Sequence, residues 1–167
     1  MMRLAGALLV LLCGWGAGAS AAAGRRLWLR RVAAVEDYLS CLEADLQYTR
    51  APLWQIAARL AARGEFAALP LAQVCGRAAP DRPFSAEFRS AVCQQRKELG
   101  QQCCDALEGL AGQLGTLPAN PQLEALELCR RRLEEIRCRQ EPIIAQQCRL
   151  WHSLGILGAA AAVVLLW

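Results

Sequence analysis

The chain carries an apolar stretch at each end, and the pair limits what can lie between them. Leu4 to Ala23 is 20 residues without a charge, and Leu154 to Trp167 is a further 14. As a helix the first covers about 30 Å, the thickness of a bilayer's hydrocarbon core. The second covers about 21 Å, or about 27 Å if it begins at Leu150. Trp151 and Trp167 suit the two interfaces of such a span. The expectation is an all-α protein: an N-terminal transmembrane anchor over 1–24, an antiparallel helical bundle over 25–150 and a C-terminal transmembrane segment over 151–167.

Charge placement gives the orientation. Arg25, Arg26, Arg30 and Arg31 follow the first apolar stretch, with no acid before Glu36, and Arg149 precedes the second. Basic residues beside a span stay in the cytoplasm, which places 25–152 inside and both ends outside. An attraction to anionic lipid is compatible with the same cluster. From Glu36 to His152 there are 14 basic and 15 acidic residues, so the domain is near neutral and lacks a nucleic-acid binder's basic face. Ala19-Ser20-Ala21 could end a cleaved signal peptide, but the following arginines resist translocation and the run is long for a signal sequence. An uncleaved anchor is the reading preferred. Gly14 and Gly18, and Gly158 and Ala162, place small residues four apart, where spans can approach closely.

Between the ends the periodicity is helical. Trp28, Val32, Val35, Leu39, Leu42 and Leu46 recur at steps of 4 and 3, a single apolar seam. Thr49 to Leu53 forms a corner, with Thr49 able to cap and Pro52 suited to a first helical turn. A short helix follows, with Leu53, Ile56 and Leu60 inward, closed by Gly64. Phe66 to Ala79 reads as a second short helix with Pro70 in its first turn. Ser85 is placed to cap a helix from Ala86 to Leu99, Gly100 interrupts, and Gln101 to Leu114 carries the stripe Cys104, Leu107, Leu110, Leu114. The last helix has the longest seam, Leu126, Cys129, Leu133, Ile136, Gln140, Ile143, Gln147, Leu150 and Leu154, with Pro142 expected to kink it. The two seamed helices are natural antiparallel neighbours.

No residues stand out for catalysis, cofactor binding or metal binding, so a non-enzymatic protein is expected. The single histidine, His152, sits at the membrane edge, and no Gly-rich phosphate loop is present. Glu134-Glu135 reads as a solvated face opposite Arg130-Arg131-Arg132. Nine cysteines include no Cys-x-x-Cys pair. Cys129 lies on the seam as a small hydrophobe, and adjacent Cys103 and Cys104 are not expected to share one core. In a cytoplasmic domain these are free thiols. The alternative is an exported, disulfide-bonded, C-terminally anchored membrane protein.

Several stretches together resemble the stage III sporulation protein AB family of endospore-forming bacteria. Leu42 to Leu53 (LEADLQYTRAPL) is similar to the family's acidic helix, Tyr and Thr-Pro-Leu corner, carried here by Glu43, Tyr48, Thr49, Pro52 and Leu53. Ser85, Leu114-Gly115 followed by Gln122, and Gly155 and Gly158 at the head of the second apolar stretch complete the resemblance. One departure is an extra residue between Thr49 and Pro52. Another is Leu117-Pro118, in a loop where the family usually has Ser-Asp. The resemblance implies a bundle similar to the cytoplasmic domain of the type II secretion platform protein. It implies a place in the outer forespore membrane, with the domain facing the mother-cell cytoplasm. The implied role is a non-enzymatic platform coupling an ATPase-like partner, stage III sporulation protein AA, to other stage III sporulation channel proteins.

Overall fold

A computed structural model describes residues 2–49, 51–78, 81–116 and 118–166, with side chains described over 23–49, 51–78, 81–116, 118 and 120–146. Every regular element among them is helical. The order is α1 (Met2–Thr49), α2 (Leu53–Ala62), a 3₁₀ turn (Gly64–Phe66), α3 (Pro70–Gly76), α4 (Phe84–Gln94), α5 (Arg96–Leu99), α6 (Gln101–Ala111) and α7 (Ala119–Leu166). The side chains of most of the first apolar stretch and all of the second lie outside the described residues. So do the expectations for Gly14, Gly18, Arg149, His152, Gly155, Gly158 and Ala162. Among the described residues, no helix is long and apolar enough to cross a membrane.

The chain divides into two compact units, one of Met1–Leu29 with Arg139–Trp167, the other of Arg30–Cys138. In the larger unit the α1 seam is buried as expected: Val32, Val35, Leu39, Leu42 and Leu46 are all shielded from solvent. On α7, Leu126, Cys129 and Leu133 are buried too. Two ion pairs fix how these helices meet. Glu36 pairs with Arg137 at 3.1 Å and Glu43 with Arg130 at 3.5 Å. One heptad forward on α1 matches one heptad back on α7, so the helices run antiparallel. Each charged residue directly follows a seam residue (Val35, Leu42, Cys129, Ile136), the flanking position from which charges bridge a helix pair. Arg130 therefore faces α1, while Arg131 remains outside and pairs with Glu127 one turn back.

The short helices complete this core. α2 packs on α3, α3 on α4 and α4 on α6. Pro70 occupies the first turn of α3, where its missing N–H costs nothing. Gly76 lets α3 approach α2 closely, since a methyl there would overlap the Ala61 side chain. Tyr38 of α1 is fully buried, its ring edge-on to Phe66 at 5.5 Å. The Cys75 thiol lies beside it, and burial pushes that thiol up to about 12.

Two local expectations are corrected. Ser85 is no cap: α4 starts at Phe84, one residue earlier, because Phe84 is drawn into the core beside Phe88, leaving Pro83 as the extended residue before the helix. The helix expected from Ala86 to Leu99 is broken at Gln95, whose N–H bonds Val92 three residues back, a 3₁₀ step. Gly100, at φ 83°, then permits a sharp turn into α6. Cys103 and Cys104 face different sides, as expected of adjacent positions, and both are buried because α6 is covered on two sides. Cys103 neighbours Glu36 and Cys129, whereas Cys104 neighbours Arg96 and Cys93. All the described cysteines are free thiols.

In the smaller unit, Ile144 is buried against Trp28 and Leu29. Ile143, expected on the seam, is instead 46% exposed. A straight helix drifts by about 20° per heptad against a 3.5-residue repeat, so the inward positions slip to four-residue steps, from Ile136 through Gln140 to Ile144. α7 continues through Pro142.

Candidate functional site

Three helices of the larger unit begin directly after a proline: α2 after Pro52, α4 after Pro83 and α7 after Pro118. Proline holds φ near the value a helix entrance needs and offers no N–H that would go unpaired. The first two entrances open onto a groove of about 630 Å³, lined by residues from Leu46, the 51–54 corner, Arg82 to Phe84, Gly115, Asn120 and Gln122.

The corner is built from local bonds. Thr49 Oγ1 donates to the Asp45 carbonyl at 2.6 Å, so it closes α1 and does not cap α2, the role its place in the sequence suggests. The α2 entrance is made by Pro52, extended at ψ 144° and without a side-chain cap. Its carbonyl accepts the N–H groups of Gln55 and Ile56, which places Pro52 just before the first turn rather than in it. Leu53 turns inward and Trp54 outward, the latter 37% exposed. Arg63 reaches Asp45 at 3.7 Å and ties the end of α2 back to α1.

The opposite wall comes from two loops. Leu114 is fully buried and Gly115 reverses the chain at φ 76°, a conformation an L side chain rarely adopts. Thr116 Oγ1 donates back to the carbonyls of Gly112 and Gln113, holding that turn. Gln122, one turn into α7, is buried at the groove. Arg82 stands at the rim and pairs with Glu87 at 3.2 Å. Trp54, Pro52, Pro83 and Phe84 give the groove apolar walls, and Asn120 and Gln122 add amides. Such a lining is apolar with amides and one arginine at its rim. Among the described residues, no cluster of three or more His, Cys, Asp or Glu could hold a metal ion.

A family model for stage III sporulation protein AB matches residues 3–167. The chain belongs to that family, and the protein is a sporulation protein. No curated protein and no solved structure matches it. Pro52, Leu53, Gly115 and Gln122, all marked by the resemblance, come from distant parts of the chain and line the same groove. Thr49 and Leu114 lie just behind it as the supports of its two turns. Glu43 serves elsewhere, as Arg130's partner, and Tyr48 is 82% exposed at the end of α1. Of the arginines read as a topology signal, Arg25, Arg26 and Arg30 are exposed, while Arg31 also pairs with Glu98 at 3.2 Å. Trp54, Arg82, Phe84 and Asn120 carry no mark of the groove in the sequence pattern. A proline repeated before a helical run is the one signal that points to two of these walls.

Proposed function

We propose that the protein is a non-enzymatic membrane platform in a sporulation-specific, secretion-like channel complex between mother cell and forespore. Its two apolar ends hold it in the outer forespore membrane, and its bundle faces the mother-cell cytoplasm. The groove at the α1–α2 corner is the surface that engages the ATPase-like partner, stage III sporulation protein AA. The observation that supports this reading is the convergence on that groove of Pro52, Leu53, Gly115 and Gln122, four of the residues on which the family resemblance was read. Leu53 and Gln122 are buried and serve packing as well, but Pro52 and Gly115 are exposed at the groove, where a partner can reach them.

The test is co-purification from sporulating cells. Trp54→Ala combined with Arg82→Ala alters the exposed rim and leaves the buried seams untouched. The expected result is loss of the ATPase-like protein from the complex and a fall in spore yield, with the variant retained in membranes at wild-type level. Unchanged co-purification would mean that the groove is not the docking face.

A further inference from the structure

The smaller unit contains a second cleft, of about 410 Å³, lined by Arg25, Trp28, Gln140, Ile143 and Ile144. We infer that this cleft is a binding site for the phosphate headgroup of an anionic glycerophospholipid, an inference that rests on the membrane reading above. Its lining divides as such a ligand would require. Arg25 supplies a planar guanidinium that can grip phosphate oxygens with two parallel N–H groups. Gln140 adds an uncharged amide donor. Trp28 is half-buried, with an apolar ring and a polar N–H suited to the headgroup level. Ile144 forms a buried floor against Trp28 and Leu29, and Ile143, left 46% exposed, offers apolar surface for the start of an acyl chain.

Charge points the same way. None of the ion pairs among the described residues engages Arg25, Arg26 or Arg30. This positive charge is held where the uncharged run ending at Ala23 gives way to the polar domain. That is the depth at which lipid phosphates sit. A free phosphate ion would use Arg25 but gain nothing from Ile143, Ile144 and Trp28, so the apolar part of the lining favours a lipid.

The full-length chain in neutral detergent micelles provides the test, with thermal stability as readout. Dioleoyl phosphatidylglycerol, dioleoyl phosphatidylcholine and inorganic phosphate are titrated separately. Phosphatidylglycerol should raise the midpoint, and the other two should not. Arg25→Gln should weaken the apparent affinity for phosphatidylglycerol about fivefold. Arg89→Gln, an exposed change on α4, should leave it as in wild type. Equal stabilisation by phosphatidylcholine, or an Arg25→Gln response equal to wild type, would overturn the site. Stabilisation by inorganic phosphate alone would assign the cleft to a soluble anion and also overturn it. Alkaline carbonate extraction of membranes separates this failure from that of the membrane reading: a chain that stays in the pellet keeps its membrane assignment whatever the lipid titration gives.

Discussion

Arg137 Nε donates to both carboxylate oxygens of Glu36, at 3.1 Å each, across the antiparallel pair α1 and α7. Glu36 is nonetheless shifted upward from 4.5: its burial outweighs the attraction of Arg137, with Glu134 and Asp37 adding to the rise. A carboxyl raised in the fold binds its proton more tightly there than in the unfolded chain. Its stabilising contribution is complete below 4.5 and is lost as pH rises through the higher folded value. Glu36→Gln removes that dependence. Midpoints measured from about pH 4 to about pH 8 should therefore show the variant gaining on wild type as pH rises. A variant that loses ground with rising pH would show that the ion pair, not burial, dominates.

The seam predicts a division between fold and surface. Leu39 and Leu133 are buried on facing helices of the larger unit, and truncating such a leucine to alanine costs roughly 2–5 kcal/mol. Leu39→Ala or Leu133→Ala should lower the thermal midpoint of the full chain in detergent by several degrees or more. Glu135→Gln, exposed on α7, should not move it. An unmoved midpoint for Leu133→Ala would mean that this packing contributes little.

Two helical glycines should respond in opposite ways to the same substitution. Gly76→Ala drives a methyl into Ala61 where α3 meets α2, so it should destabilise. Gly109 of α6 faces open space, and Gly109→Ala should be neutral or stabilise by up to about 1 kcal/mol through helix propensity. Chemical denaturation of both variants checks the pair, and a tolerated Gly76→Ala would contradict the close α2–α3 approach.

Periodicity makes the long seams legible in the sequence, because burial of every third or fourth residue leaves a direct trace there. Val32 through Leu46 and Leu126 through Leu133 are inward as their spacing requires. The pairing of Glu36 and Glu43 with Arg137 and Arg130 is not legible in the same way, although all four flank seam residues. Which glutamate meets which arginine depends on the register of two distant helices, and neither helix encodes it alone. Ile143 departs from the pattern because a strict heptad, carried that far, outruns an untwisted helix that drifts away from it. Cys103, off the stripe that carries Cys104, is buried as well, because a helix enclosed by neighbours on two sides can bury adjacent positions. The corner at Thr49 to Leu53 is visible in its turn residues. The groove it helps to form is not, since the other walls lie far along the chain at Arg82 and Gly115.

Thiol accessibility separates a membrane platform whose bundle lies in the cytoplasm from one whose bundle lies outside. Cys93 and Cys138 are exposed, whereas Cys75, Cys103 and Cys129 are buried, with thiols pushed up to about 12, 11 and 12. Thiolate is the reactive form, so these three should stay silent in the folded protein near neutral pH. In sealed right-side-out vesicles, a membrane-impermeant maleimide should miss Cys93 and Cys138, and it should label both once the membrane is permeabilised. Ready labelling of Cys93 and Cys138 in the intact vesicles would place the bundle outside and contradict the account.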